Sequence, residues 1–357
     1  MPILLTDCRR QFRWWRFATI GAAIFHFAVS ILLTFIGLTV ITFVIGRLIP
    51  IDPVLAVVGD RATAQTYAEA QVRMGLDLPV YVQYVKYLVN IVHGDFGTSI
   101  VTGQPVLDDL FAKFPATIEL ATIALIVGVG IGVPMGVLSA ANEGKWPDHV
   151  IRIVALLGYS APIFWLGLVG LLVFYAKLDW VSGPGRIDMG FNDIVPSVTG
   201  FLLLDSLLSG DFDVFANALS HIILPSLLLG YLSLAYISRM TRGFMIDQLG
   251  QEYIVAARAK GLSRTRIIWS EARGNIMVPL ITVIALSYGS LLEGAVLTET
   301  VFAWPGLGLY MKNALFNADM NAVLGGTLVI GSVYICLNML TDLCYPIFDP
   351  RARTVKR

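Results

Sequence analysis

The residues that could do chemistry are few, and most do not combine. The one Gly-Lys pair, Gly144-Lys145, lacks both the upstream glycine and the following Ser or Thr of a phosphate-cradling loop, so ATP binding by that route is not expected. No G-x-S-x-G turn offers a serine nucleophile, and no H-E-x-x-H helix offers a hydrolytic zinc site. His26, His93, His149 and His221 are scattered with no partner ligands nearby, and read as packed or surface imidazoles. Cys8, Cys336 and Cys344 form neither a disulfide framework nor a zinc spacing. No catalytic residue, metal or cofactor is therefore expected. The remaining chemistry is that of a surface. In Arg239–Arg273, Gly250 and Gly261 bracket a stretch of helix formers, Gln251–Lys260. Tyr253, Ile254 and Ala257 share one face, flanked by Glu252 and Arg258. Gly261 suits a helix C-cap, and Ser263 can cap a second helix through Ile267, Ile268 and Trp269. Such a short, Ala-faced helix suits another protein's groove. The pattern equally fits a basic loop that merely fixes topology.

The elements that must carry this segment follow from where charge is missing. The chain has 357 residues, 56% of them hydrophobic and only 14% charged, with 25 basic and 25 acidic side chains. Its mean hydropathy is +0.74. So few charges could not keep so much apolar surface in solution, which excludes an ordinary soluble enzyme, a disordered chain and a disulfide scaffold. Zero net charge also argues against nucleic-acid binding. Six runs lack Asp, Glu, Lys and Arg: Phe17–Gly46, Leu120–Asn142, Ile153–Ala176, Val214–Ser238, Gly274–Leu292 and Met320–Thr341. They are 19 to 30 residues long, whereas the next longest such run has 12. A bilayer core needs about 20 helical residues, and lipid offers no partner to an unpaired backbone group. The chain is thus expected to be an all-α integral membrane protein with six transmembrane helices.

Basic residues set the orientation. Segments 1–16, 143–152, 239–273 and 342–357 hold 17 Lys and Arg in 77 positions; 47–119, 177–213 and 293–319 hold 8 in 137. The first group, with both termini, is expected on the cytoplasmic side. The first apolar run is too long for a secretory signal, whose apolar region is about 7–15 residues, so it reads as an uncleaved span. The expected organisation is a cytoplasmic extension (1–16), a first span (17–46), a periplasmic segment (47–119), a transmembrane core (120–346) containing the inner segment 239–273, and a cytoplasmic tail (347–357).

Outside the spans, Pro50, Asp52 and Pro53 should break the helix after the first span, and Ala62–Met74 should form a short helix. Leu78–His93 should form an amphipathic helix, lying on the outer membrane face or packed on the outer loops. Gly94–Ser99 reads as a turn, and Pro115 as standing near the start of the second span. The spans hold few ionisable groups: Glu119 and Glu293 lie at outer ends and Asp342 at an inner end. A proton-driven pump needs buried acids or histidines at mid-membrane. A large membrane protein with no engine of its own points to a subunit powered by a partner.

Taken in order on this topology, the motifs resemble the permease subunits of bacterial ABC importers for dipeptides, oligopeptides and nickel, from about Phe25 to Arg353. The residues that carry the resemblance are Arg47-Leu48-Ile49-Pro50-Ile51-Asp52-Pro53, Gly75–Pro79 with Gln83-Tyr84, Gly94–Ser99, Ser160–Gly167, Glu252–Leu262, Glu299–Gly308 and Asp349–Arg353. It implies an importer-type permease fold in the bacterial inner membrane. It also implies partners: a second homologous permease, two ATP-binding subunits and an external solute-binding protein. Tyr253–Leu262 is similar to the family's cytoplasmic coupling element, which places Tyr253, Ala256, Ala257, Gly261 and Leu262 at the ATPase contact. Val255 stands where more distant importers have Glu, and Glu271 and Gly274 stand where basic residues are expected. A peptide route implies polar lining, for which Ser287, Tyr288, Ser290 and Glu293 are candidates, though small residues also serve bundle packing. A nickel or other small-solute importer, an ion-coupled secondary transporter and, from a third class, an integral-membrane enzyme are the alternatives. The last has no catalytic constellation to support it.

Overall fold

The computed structural model describes residues 29–46, 53–59 and 61–348. The expectations for residues 1–28, for the break at Pro50 and Asp52, and for Asp349–Arg353 lie outside these residues. Among the described residues the regular elements are helices, with one isolated bridge between Thr98 and Pro105. Five helices among the described residues are long and apolar enough to cross a membrane, and a pair bent by 99° brings the count to six where it crosses as one span.

Two compact units divide the chain. One comprises residues 1–94 and 327–335, the other residues 95–326 and 336–357. The first contains α1 (Val29–Gly46), α2 (Pro53–Val58), α3 (Ala64–Arg73) and α4 (Val80–Val92). The short helix expected over Ala62–Met74 is α3, started by Thr63, whose hydroxyl accepts from the Thr66 N–H at 3.2 Å. The amphipathic segment is α4. Its Tyr84 and Tyr87 hydroxyls meet those of Thr39 and Thr42 on α1, each at 3.0 Å. The Phe43 ring packs between the same two tyrosines, at 5.3 and 5.6 Å. The other stripe of α4, Tyr81, Val85, Val89 and Val92, is exposed.

The second unit is built on two long helices, α5 (Val106–Ala141) and α9 (Phe212–Leu249). Their seam explains a glycine pattern. A Cβ on Gly128 would lie 2.5 Å from Ser233 Oγ, on Gly132 3.0 Å from Leu234 O, and on Gly136 2.6 Å from Ser238 O. Three glycines at intervals of one turn let the backbones approach to distances no larger side chain permits. Gly230 answers from α9, where a Cβ would lie 2.8 Å from Ala124 O.

Two expectations are corrected here. Pro115 is not at the helix start; α5 begins at Val106 after Pro105, and Pro115 lies inside it. The absence of charge marks where a helix enters lipid, not where it begins. Asp108 and Asp109 in the first turn suit the positive end of the helix dipole. The run Ile153–Ala176 is also not one straight helix. α6 (Trp146–Ser160) and α7 (Ile163–Gly170), the latter continuing through a π-helical turn Leu171–Lys177, meet at 99°. Pro162 forces Ala161 into an extended conformation (φ −81°, ψ 131°), and the helix stops there.

The remaining elements are α8 (Leu202–Ser209), α10 (Glu252–Ala259), α11 (Arg264–Arg266), a π-helical turn Ile267–Ala272, α12 (Arg273–Val301), α13 (Leu307–Phe316) and α14 (Met320–Phe348). The Ser263 cap takes its expected place, its hydroxyl accepting from the Arg266 N–H at 3.4 Å. The helix it starts runs on through α12 to Val301.

Candidate functional site

α10 is held by two side chains. Ile254 is completely buried and Ala257 nearly so, in a cluster with Val137 of α5, Ile237 and Met245 of α9, and Ile267, Ile268 and Ile276. Burying an isoleucine of this kind contributes about 1.5–3 kcal/mol. Tyr253 is turned away from that cluster; its hydroxyl donates to Gln248 Oε1 at 3.0 Å. The face left exposed carries Glu252, Tyr253, Val255, Ala256 and Ala259. Of the expected coupling residues, Tyr253, Ala256 and Gly261 are therefore at the surface, and Leu262 packs partly buried on the cluster. Ala257 lies on the inner face of α10: a residue three positions after Ile254 shares its side of the helix.

Gly261 ends the helix as anticipated. Its φ is +78°, its N–H donates to Arg258 O at 2.9 Å, and the Leu262 N–H donates to Ala257 O at 3.2 Å. This pair of bonds is a Schellman closure, whose turning residue favours glycine because a Cβ is disfavoured at positive φ. The apolar Leu262 that follows drops onto the cluster. Arg264 then donates from Nη2 to Ala141 O, tying the next helix to the end of α5. The segment is thus a short stub on the ends of three long helices, with Tyr253, Val255, Ala256 and Ala259 facing out beside Glu252 and Arg258. Replacing Gly261 with Asp meets no atom within 4 Å but strains the backbone at its positive φ, so the expected result is membrane insertion with a distorted end of α10 and weakened attachment of whatever docks there. Co-purification of the partner measures it; an unchanged yield with unchanged transport would contradict the assignment.

The pathway candidates on α12 do not form one face. Ser290 and Glu293 are exposed, in line with Leu286 and Leu297. Ser287 is buried, and its hydroxyl has no hydrogen-bond partner. Tyr288 is half-buried, its hydroxyl 3.0 Å from that of Thr122 on α5.

Sequence reasoning missed the polar braces at both ends of this unit. At the end bearing α10, Asp148 is fully buried and accepts from Arg242 Nε at 2.7 Å and Nη2 at 2.8 Å. Ser139 Oγ (2.5 Å) and the Gly144 N–H (3.1 Å) also donate to it. This one carboxylate joins α5, the following loop, α6 and α9. At the opposite end, successive positions of α5 are gripped. Trp304 Nε1 donates to Ala116 O at 2.9 Å; Thr117 Oγ1 donates to the buried Glu299 at 2.7 Å and accepts from the Leu307 N–H at 2.7 Å. Glu119 pairs with Arg186 at 2.5 Å and accepts from the Leu203 N–H at 2.8 Å. The Glu299–Gly308 motif is therefore a clamp: Gly306 has no room for a Cβ, which would lie 2.3 Å from Glu299 Oε1. The partners of Asp148, Glu119, Ala116 and Thr117 that lie 67 to 190 positions away leave no local periodic trace.

Asp205 organises the neighbouring loop. Burial opposes its ionisation, but Thr199 Oγ1 (2.7 Å) and the N–H groups of Thr199 (2.9 Å), Gly200 (3.0 Å) and Val198 (3.2 Å) outweigh it and hold the carboxyl below its ordinary value. A depressed folded-state value means stabilisation that is present above the ordinary carboxylate range and lost as the pH falls through the folded value. Amide exchange at Val198 and Gly200, taken relative to the intrinsic rate at each pH, should therefore be slow at neutral pH and faster in acid. Asp205→Asn should make it fast already at neutral pH, and equal exchange in the two proteins would refute this.

Such a bundle of long apolar helices, with a short helix anchored at one end, has the form of a multi-pass membrane protein. The profile described as "Binding-protein-dependent transport system inner membrane component" matches residues 132–354, and its N-terminal companion matches residues 23–121. The chain belongs to this family: it is a multi-pass permease subunit of the ABC importer type, and membership implies an ATPase and a binding protein as partners.

Its curated relatives are close along nearly their whole length. It is 46% identical to the "Probable D,D-dipeptide transport system permease protein DdpB" of Escherichia coli K12, covering 90% of this chain and 94% of that one. It is 42% identical to the "Dipeptide transport system permease protein DppB" of the same strain, covering 90% and 96%. It is also 42% identical to the "Di/tripeptide transport system permease protein DppB" of Pseudomonas aeruginosa, covering 90% and 95%. Among solved structures, a chain of the MetNI methionine ABC transporter in an inward-facing conformation aligns at 16% identity with a TM-score of 0.48, over 66% of this chain and 93% of that one.

Proposed function

We propose that this subunit carries dipeptides, or closely related short peptides, across a bacterial inner membrane. The observation that carries the reading is identity of 42–46% over nine-tenths of the chain to permeases named for dipeptide transport. The subunit works beside a second homologous permease, on two ATP-binding subunits, with an external binding protein delivering solute to 47–119 and 177–213. Both termini, 1–16 and 347–357, face the cytoplasm together with 239–273, in keeping with the basic bias of those segments. Tyr253, Val255, Ala256 and Ala259 form the contact with the ATPase, while Ile254, Ala257 and Leu262 transmit its movement into α5, α9 and α12. ATP binding closes the ATPase pair, moves α10, and rocks the spans to alternate access. Ser290 and Glu293, exposed in this single chain, line the route, with Tyr288 beside them; Ser287 belongs to bundle packing.

The assembled transporter, reconstituted in liposomes with its binding protein, tests this reading. ATP-dependent entry of labelled L,L- or D,D-dipeptide is expected, with nickel entry at background. Entry of nickel but of no dipeptide would overturn it.

A further inference from the structure

At the end of the second unit that bears α10, a cavity of about 570 Å³ opens between α6 and α9. None of the expected coupling or pathway residues lines it. Its walls combine two chemistries: Arg152, Arg239 and His149 on one hand, Ile153, Leu156 and Ala235 on the other. Arg242 also lines it, but both arms of its fork are taken by Asp148. Arg152 and Arg239 differ: among the described residues neither has a carboxylate within 4.0 Å. The Arg239 guanidinium lies 5.2 Å from the ring centre of Tyr159 and 5.8 Å from that of Tyr236. Aromatic rings on the face of a guanidinium leave its N–H edge available to an anion, the geometry that suits bidentate phosphate.

Position in the sequence adds the second half of the argument. Arg152 is the last residue before the charge-free run Ile153–Ala176, and Arg239 is the first after Val214–Ser238. Both cations therefore stand at the boundary between lipid and water. Ile153 (58% exposed), next to Arg152, and Leu156 (65% exposed), one turn on from it, offer an apolar floor. A soluble anion would leave that floor wet, and a hydrocarbon would leave two arginines unpaired. A molecule that is anionic at one end and apolar at the other satisfies both.

We propose that this cavity holds the phosphate headgroup of an anionic phospholipid, with Arg152 and Arg239 on the phosphate and an acyl chain along Ile153 and Leu156. The inference needs the chain to span a membrane but not that its solute be a dipeptide. A basic side chain near an anionic headgroup contributes about fivefold in binding.

The assembled transporter, purified in detergent doped with equal phosphatidylglycerol and phosphatidylcholine, should retain the first in excess, as read by native mass spectrometry. Arg152→Gln and Arg239→Gln should each lower that retention about fivefold. Arg239→Lys, which keeps the charge but loses the planar fork, should retain more than Arg239→Gln and less than the wild type, and Arg73→Gln on α3, which does not line the cavity, should change nothing. Both Gln variants must still co-purify with their partners, and ATP-driven dipeptide entry is measured in parallel, so loss of the transport reading shows separately. Equal retention of both lipids, retention indifferent to both arginines, or displacement by millimolar inorganic phosphate would overturn the proposal. So would an efficient Leu156→Cys cross-link to the second permease, which would show protein filling the cavity.

Discussion

Replacing Ala256 with arginine should leave this chain folded and inserted, and should abolish its attachment to the ATPase. Ala256 is exposed on α10, whereas Ile254 and Ala257 hold that helix from its other side. A long cationic side chain there touches nothing within the subunit but stands in the plane of any docked surface. Blocking the centre of a small contact of this kind typically costs 2 kcal/mol or more, which is roughly thirtyfold or more in affinity. Ala257→Arg is the discriminating companion. It forces a charge into a packed cluster with no partner, so it should destabilise the subunit itself and lower its yield in membranes. Quantifying permease and ATPase in the same purification separates the two. If A256R co-purifies with the ATPase at the wild-type ratio, α10 is not the docking element.

The second large effect is expected at Arg242. Its removal by alanine leaves Asp148, fully buried, with only a hydroxyl and one N–H against its charge. Breaking a buried pair from one side costs about 3–5 kcal/mol, because the remaining charge is uncompensated. Thermal unfolding of purified R242A should therefore begin well below that of the wild-type protein. The paired replacement D148N/R242M removes both charges at once and should recover much of the loss. A wild-type transition for R242A would show that the Asp148 brace is not what joins α5, α6 and α9.

These effects lie where the sequence was hardest to read. Charge-free runs located six spans because lipid imposes a length requirement on every one of them, and a glycine before a Ser cap located the end of α10. The same signal put Pro115 at a helix start that lies at Val106, since charge reports the membrane boundary and not the helix terminus. It also drew α6 and α7 as one span, although the Ala161-Pro162 step stood in the sequence as a stop. Spacing put Tyr253, Ile254 and Ala257 on one face; in the structure Ile254 and Ala257 are buried together, while Tyr253 and Ala256, each about 100° round the helix from its buried neighbour, are exposed. Among the site residues, Ser290 and Glu293 lie on one exposed stripe with Leu286, while Ser287 does not. The braces Asp148–Arg242, Glu119–Arg186 and Thr117–Glu299 join partners 67 to 182 positions apart. Only the folded chain brings such pairs together.

Uptake by proteoliposomes of defined composition addresses the transport mechanism itself. With the second permease, the binding protein and the ATPase all present, solute entry should require ATP and should survive a protonophore. It should stop when the ATPase is omitted or when A256R replaces the wild-type subunit. Entry supported by this chain without the ATPase, and collapsing with the proton gradient, would contradict the account.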